Sequence, residues 1–393
     1  LRAPGRPFLQ THTLFVRKVS RLEEGQRLRL RKGPPDFILF ITTLLLVGIG
    51  LVMVFSSSAV TSNIRYDDAY LFFKKQLLWA LIGIVCMLVV MKFNYVRIKD
   101  LAIPLMVFTL LCLILVITPL GIDTKGSSRW LGVGIMQFTP SELAKLAMVM
   151  FLAKVMEVNL DSMRSFTKGI LPYLVFIALV CGLIMLQPDL GTAFAIAGTA
   201  FFMMLAAGAR WSHLGLIALS GAGVVAAAIA LAPYRMQRFI AFLDPWKYPT
   251  DEGFQTIQSL YALGSGGLFG MGLGRSRQKF FYLPEQHTDF IFAILGEELG
   301  FLGAFLVICL FLLFAWRGFR IALNAPDTFG SLLATGITTM FVFQAAINIG
   351  VVSGALPVTG ITLPFISYGG SSLLFTLIGV GFLLNISRYS TYR

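Results

Sequence analysis

Residues 37–55 read Phe-Ile-Leu-Phe-Ile-Thr-Thr-Leu-Leu-Leu-Val-Gly-Ile-Gly-Leu-Val-Met-Val-Phe and contain no charged side chain. A bilayer's hydrocarbon core is about 30 Å thick and takes about 20 helical residues to cross. This block has that length, and similar blocks recur to the end of the chain. None alternates apolar with polar residues as a transmembrane barrel strand does. The pattern predicts an all-α polytopic membrane protein of ten spans, at about 36–55, 77–92, 101–118, 140–156, 169–186, 190–207, 213–232, 290–315, 329–350 and 371–387. Composition agrees. Of 393 residues, 57% are hydrophobic and 13% charged, with a mean hydropathy of +0.80, whereas a soluble domain is about 25% charged. A set of soluble domains is excluded.

The remaining charge is unevenly placed. Lys and Arg number 32 against 19 Asp and Glu, a net +13. In a soluble protein that balance would suggest nucleic acid. Here Arg2, Arg6, Arg17, Lys18, Arg21, Arg27, Arg29, Arg31 and Lys32 all precede the first span. By the positive-inside rule they mark a cytoplasmic segment lying on anionic lipid, and no nucleic-acid partner is expected. An even number of spans returns the C-terminus to the same side. The chain divides into a basic cytoplasmic segment, 1–35, and a single transmembrane domain, 36–390. One large extracytoplasmic loop, 233–289, separates the seventh and eighth spans; its aromatics, glycines and basic residues suit a loop folded onto the membrane surface. Cys86, Cys112, Cys181 and Cys309 lie in apolar blocks without disulfide or metal spacing.

Chemistry-bearing residues gather at the outer ends of the spans. In Leu283-Pro284-Glu285-Gln286-His287-Thr288-Asp289-Phe290 the long loop re-enters the membrane. Thr288 or Asp289 can simply cap the next helix. Alternatively, Asp289 is a carboxylate partly desolvated by the apolar span behind it, hence a better base, with His287 tuning it or binding substrate. Glu297 and Glu298 follow deeper, where acids are costly and usually paired or functional. Pro140-Ser141-Glu142-Leu143-Ala144-Lys145 opens the fourth span, with Glu142 and Lys145 on one helical face. They form a local ion pair, or Lys145 joins Arg129 in presenting positive charge to an anion. Gln187-Pro188-Asp189-Leu190-Gly191-Thr192 reads as a helix start. The glycine-rich run 263–274 lacks the Gly-Lys-Ser/Thr and preceding strand of a phosphate loop. It either turns tightly or admits a lipid diphosphate, with Arg275, Arg277 and Lys279 supplying charge. No hydrolase triad or metal-spaced His/Cys cluster is present. No cofactor is demanded, and a divalent cation shared between carboxylates and a diphosphate stays open.

These motifs resemble the SEDS family (shape, elongation, division and sporulation), which includes FtsW, RodA and SpoVE. The resemblance rests on Arg129-Trp130, the 140–145, 187–192 and 284–290 stretches, Pro357-Val358-Thr359-Gly360-Ile361 and Pro364-Phe365-Ile366-Ser367-Tyr368-Gly369-Gly370-Ser371-Ser372, in family order, and covers about 35–390. The 281–290 run and Gly296-Glu297-Glu298-Leu299-Gly300 look more like the FtsW and SpoVE branch than RodA. The resemblance implies a peptidoglycan glycosyltransferase of the bacterial cytoplasmic membrane that polymerises lipid II at the outer face during division or sporulation. It also implies an essential aspartate at the position of Asp289, a class B penicillin-binding protein as cross-linking partner, and other division proteins at the septum. The substrate-binding candidates around that base are Arg129, Lys145, Glu142, His287, Glu285, Arg275 and Lys279. Two alternatives stand beside it, a lipid II flippase and a non-catalytic division scaffold. A flippase needs a polar path to the cytoplasmic side, whereas the notable charges concentrate at the outer ends. Small residues of the eighth and ninth spans, Gly303 and Ala334 among them, suit docking of the partner's single span.

Overall fold

The computed structural model describes residues 33–93, 95–124, 127–133 and 136–389. The basic segment up to Lys32 therefore lies outside the described residues. In chain order the α-helices are α1 Phe37–Tyr66, α2 Leu71–Lys92, α3 Tyr95–Ile117, α4 Pro140–Val158, α5 Leu171–Met185, α6 Leu190–Ala206, α7 Trp211–Ala230, α8 Pro233–Leu243, α9 Phe254–Ser265, α10 Ile291–Leu323, α11 Thr328–Val352 and α12 Gly370–Ser387. Among the described residues, eight helical segments are long and apolar enough to cross a membrane. The other two expected spans are the shorter apolar α6 and α4, which carries Glu142, Lys145, Lys154 and Glu157. The chain is a multi-pass helical membrane protein. Its outward faces are apolar, as Leu219 and Val224 on α7 and Phe301, Phe305, Leu312 and Trp316 on α10 show; in water such a surface would be an association site.

The long helices alternate in direction, so their connections collect at two ends. At one end Asp36 caps α1 by accepting the Leu39 N–H at 2.9 Å, and the Arg317 guanidinium grips the same carboxylate with two nitrogens. Ser387 accepts the Asp36 N–H at 3.0 Å, and Asn385 donates to the Val90 carbonyl at 2.7 Å. This ties α1, α2, α10 and α12 together. The opposite end gathers the loops that the sequence marked for chemistry. There Pro140 occupies the first turn of α4, where its missing N–H costs nothing. Asp189 caps α6 through the Thr192 N–H at 3.0 Å, as its helix-start motif predicts.

Several expectations need correction or refinement. The first span does not stop near residue 55. The 30-residue α1 is about 45 Å long at about 1.5 Å per residue. Ser56, Ser57, Ser58, Thr61 and Ser62 end the apolar pattern but are buried; Ser58 returns its hydroxyl to the Val54 carbonyl at 2.6 Å. Between the third and fourth spans, the loop 119–139 that holds Arg129 adds to the helices a small antiparallel sheet, β1 Ile122–Thr124, β2 Ser127–Val133 and β3 Met136–Phe138, in that order. The loop 233–289 does not simply lie on the surface. Its α9 buries Thr256, Ile257, Ser259 and Ala262, and Ser259 donates to the Val352 carbonyl at 2.6 Å. Small residues marked for docking in the ninth span pack inward at two places: Ala334 is fully buried, and a Cβ on Gly336 would meet Val149 and Met203. These two are not a free docking face, whereas Ala346 is exposed and Gly303 of the eighth span half-buried.

The eighth span is likewise not one continuous helix. Gly300 breaks α10 with φ 67° and ψ −168°, a conformation open essentially to glycine. A Cβ there would sit 2.2 Å from the Gly270 backbone nitrogen. Gly270 meets the same constraint from the other side: its φ is +82°, and an added Cβ would lie 2.2 Å from the Glu298 carbonyl oxygen. Backbone thus packs directly on backbone where the long loop crosses α10. Gly300→Ala is expected to cost about 2–4 kcal/mol from strain plus overlap, read as a lowered melting midpoint in detergent.

Candidate active site

The segment that carries Asp289 is bound to its surroundings through successive carbonyls. Asn348 on α11 donates its side-chain amide to the Asp289 carbonyl and to the Ile361 carbonyl, each at 2.7 Å. Ser367 donates to the Thr288 carbonyl at 2.6 Å and accepts the Leu363 N–H at 2.8 Å. The Tyr368 N–H donates to the His287 carbonyl at 2.9 Å. Gln286 reaches the other way, donating to the Ser57 carbonyl and the Thr61 hydroxyl, both at 2.9 Å. The backbone at 286–289 is therefore pinned between α1 and the 353–369 loop. Sequence reasoning assigned no role to Asn348, Ser367 or Gln286. An asparagine inside an apolar helix was the signal available for the first.

The Asp289 carboxylate is held differently. Phe290 occupies the cap position of α10 and makes no side-chain capping bond, so Asp289 is not a cap. Thr288 turns back and donates to the Glu285 carboxylate at 3.0 Å. Asp289 is half-buried, and a Cβ on Gly360 would lie 3.7 Å from its Oδ2. Burial pushes its pKa up to about 7, and the negative charge of Glu285 adds to the rise; Arg129 opposes it, Asp189 adds a little, and Arg238 opposes. A carboxyl group so placed changes charge near neutral pH and can take a proton from a bound hydroxyl.

The other candidates do not converge on one place. Arg129, on β2, leans onto the turn before α6, donating to the Pro188 carbonyl at 2.7 Å and lying 3.8 Å from Asp189. Its electrostatic reach to Asp289 and that of Arg238, on α8 and paired with Glu252 at 3.1 Å, put two guanidinium groups around the base. Arg238 went unnoticed in the sequence. Arg275 and Arg277 are exposed on the long loop. Lys145 is buried and bonded to Glu142 at 2.9 Å and to Gln344 at 2.7 Å, while Gln344 donates onward to the Thr362 carbonyl at 2.9 Å. Of the two readings of Lys145, the geometry shows the ion pair. The His287 ring packs 5.0 Å from Phe72 and 5.7 Å from Tyr368.

Lys279 departs from expectation, and two glycines of the run take the first of their two readings. Lys279 is buried against Glu298 at 3.0 Å and does not stand with Arg275 and Arg277 on the surface. Gly266 and Gly270 are consumed by contact with the backbone of Gly296 and Glu298, whereas Gly264, Gly267 and Gly274 face open space. Among the described residues, no group of three or more His, Cys, Asp or Glu side chains converges to hold a metal ion.

Known proteins resemble this chain over almost its whole length. The FtsW/RodA/SpoVE family, described as "Cell cycle protein", matches residues 37–392. Stage V sporulation protein E of Bacillus subtilis (strain 168) is 52% identical over 367 residues, covering 92% of this chain and 99% of the relative. The probable peptidoglycan glycosyltransferase FtsW of Geobacter sp. (strain M18) is 44% identical over 356 residues, with 90% and 96% covered. Among solved structures, a chain from work on structural coordination of polymerization and crosslinking by a peptidoglycan synthase complex superposes with a TM-score of 0.75 at 33% identity, over 90% of this chain and 98% of that one. The rod shape determining protein RodA of Thermus thermophilus gives 0.68 at 30% identity, over 91% and 98%.

Proposed function

This chain belongs to the FtsW/RodA/SpoVE family and is a peptidoglycan glycosyltransferase, and we propose that it polymerises lipid II with Asp289 as the general base. The observation that carries this reading is the Asp289 carboxylate itself. It is half-buried, poised near pH 7, flanked by Arg129 and Arg238 in electrostatic reach, and set on a backbone pinned by Asn348 and Ser367. The acceptor's sugar 4-hydroxyl gives its proton to Asp289 as the oxygen attacks the donor's anomeric carbon. The bond from that carbon to the diphosphate oxygen breaks, and the lipid diphosphate leaves with the electron pair. One displacement inverts the centre, so one base suffices where a glycosidase needs two carboxylates. Arg129 and Arg238 are the best placed to stabilise the charge growing on the diphosphate, with Arg275 and Arg277 on the same long loop.

The end that carries Asp289 is assigned to the outer face of the bacterial cytoplasmic membrane, with both termini cytoplasmic. The septum, or the forespore membrane of a sporulating cell, is the site of action. A class B penicillin-binding protein supplies cross-linking, in keeping with the synthase complex among the structural neighbours. The exposed bulky face of α10, including Phe301, Phe305 and Leu312 beside the half-buried Gly303, replaces the buried Ala334 as the surface for its single span. Purified protein given labelled lipid II, with and without that partner, tests the function: polymer supports it, and translocation without polymer would favour a flippase.

The pH dependence follows from the same group. Only ionised Asp289 accepts the proton, and its pKa is raised to about 7, against about 4 for an ordinary aspartate. Activity is therefore full above pH 8 and falls as pH drops through 7. A profile of kcat/KM whose ascending limb lies near 4 would contradict the assignment.

A further inference from the structure

We infer that Glu297, Glu298, Ser276 and Lys279 are positioning residues that clasp both ends of the segment bearing Asp289, an inference that rests on reading Asp289 as the base. That segment, 280–290, leaves the fold just after Lys279 and returns at the start of α10. Glu297 and Glu298 are 1% and 0% exposed, on the short buried stretch of α10 between Asp289 and the Gly300 break. Glu297 accepts the Arg277 N–H at 2.8 Å, the Gln278 N–H at 3.4 Å and the Ser276 hydroxyl. Glu298 accepts the Ser276 N–H at 3.3 Å, the Ser56 hydroxyl at 2.6 Å and the Lys279 ammonium at 3.0 Å. The helix returns the contact through its backbone, where the Glu297 and Glu298 carbonyls accept the Met271 and Gly272 N–H groups at 2.9 and 3.0 Å.

The chain on either side of the base is thus joined to itself at one buried polar point. Ser56 is the chain neighbour of Ser57 on α1, which with Thr61 one turn further on holds Gln286 inside the segment. One helix registers both the clasp and the base. Apolar burial cannot do this alone. Phe280, Phe281 and Tyr282 are 52%, 50% and 58% exposed, and only Leu283 and Phe290 bury large apolar side chains in the segment. Two carboxylates and one ammonium in such a place are a poor source of stability, because desolvation offsets most of their attraction. What they supply is direction: bonds to specific N–H groups at 276–278 fix where the segment begins, and so where Asp289 stands.

The full-length protein with its class B partner and labelled lipid II provides the test, using Lys279→Met, Glu298→Gln, the double variant and Asp289→Asn. A base displaced by about 1 Å loses on the order of 10²-fold in rate. Lys279→Met and Glu298→Gln are each expected to lower kcat by about that factor, with KM within about threefold of wild type. The ascending limb of the pH profile should also fall below 7, as Asp289 relaxes toward water and away from Glu285, Asp189, Arg129 and Arg238. The double variant removes both charges and should recover most of kcat and the limb, which also carries the test if a single variant fails to fold. A raised KM in Lys279→Met that the double variant does not relieve would make Lys279 a substrate cation and overturn the clasp. Wild-type kcat and pH limb in all three, with only a lower melting midpoint, would overturn it too. Activity in Asp289→Asn would instead remove the base assignment, whatever the other variants do.

Discussion

Asp289→Asn is expected to abolish polymerisation while the protein stays folded and inserted. The amide matches the carboxylate in size but does not accept a proton, and positioned general-base catalysis is worth typically about 10²–10⁴-fold. The fold holds Asp289 through its backbone. Asp289 does not cap α10, and Asn348 holds its backbone carbonyl, which the substitution leaves in place. The sign of the stability change follows from linkage. A carboxyl whose folded pKa lies above its unfolded value binds its proton more tightly when folded, so ionising it costs stability as pH rises from about 4 through about 7. The neutral amide escapes that cost, and at pH 8 the variant should melt no lower than wild type. Polymer yield near wild type from lipid II would return Asp289 to a passive place in the loop. A melting midpoint well below wild type would show that the carboxylate has a structural partner.

Why Asp289 could be found in the sequence, and its supports could not, is a matter of which pattern each obeys. A carboxylate closing a polar loop just before a long apolar run is conspicuous, and the apolar runs themselves identify the spans by length alone. The polar residues that hold Asp289 break those patterns. Ser56, Ser57 and Thr61 read as the end of a span, yet they lie on a buried face of α1 that bonds the loop. Lys74, Lys75 and Gln76 made the second span look shorter than it is; Lys74 is exposed, but Gln76 is buried and bonded to Ser367 and Gly369. Arg275, Arg277 and Lys279 are alternate residues in a stretch without helix or strand period, so no periodicity could reveal that only Lys279 turns inward. Gly300 is one glycine among many in apolar helices. Its left-handed φ inside a helix and the facing backbone of Gly270 distinguish it, and neither is written in the sequence.

Lys145→Ala is expected to destabilise the protein before it affects chemistry. Its ammonium is bonded to Glu142 at 2.9 Å and to the side-chain carbonyl of Gln344 at 2.7 Å, with side-chain exposures of 7% for Lys145 and 16% for Glu142. Removing one partner of a buried pair typically costs about 3–5 kcal/mol because the other charge is left without compensation. Partial exposure of Glu142 places this case toward the lower end. Glu142→Ala strands the ammonium instead, with Gln344 as a residual acceptor, so its cost should be comparable or somewhat smaller. The double Ala variant removes both charges and should cost little more than either single change, which a double-mutant cycle of melting midpoints in detergent will read. Activity follows indirectly. Lys145 fixes which end of the Gln344 amide faces it, and so which end donates to Thr362; one turn further along α11, Asn348 joins Ile361 to Asp289. Slack in Gln344 therefore loosens the loop beside the base and lowers kcat in proportion to the lost order, and the double variant should regain little of it. A lysine that binds the diphosphate makes the opposite forecast. Turnover or lipid II binding would collapse in Lys145→Ala at an unchanged melting midpoint, while Glu142→Ala would keep most activity. That outcome would restore Lys145 to the ligand set.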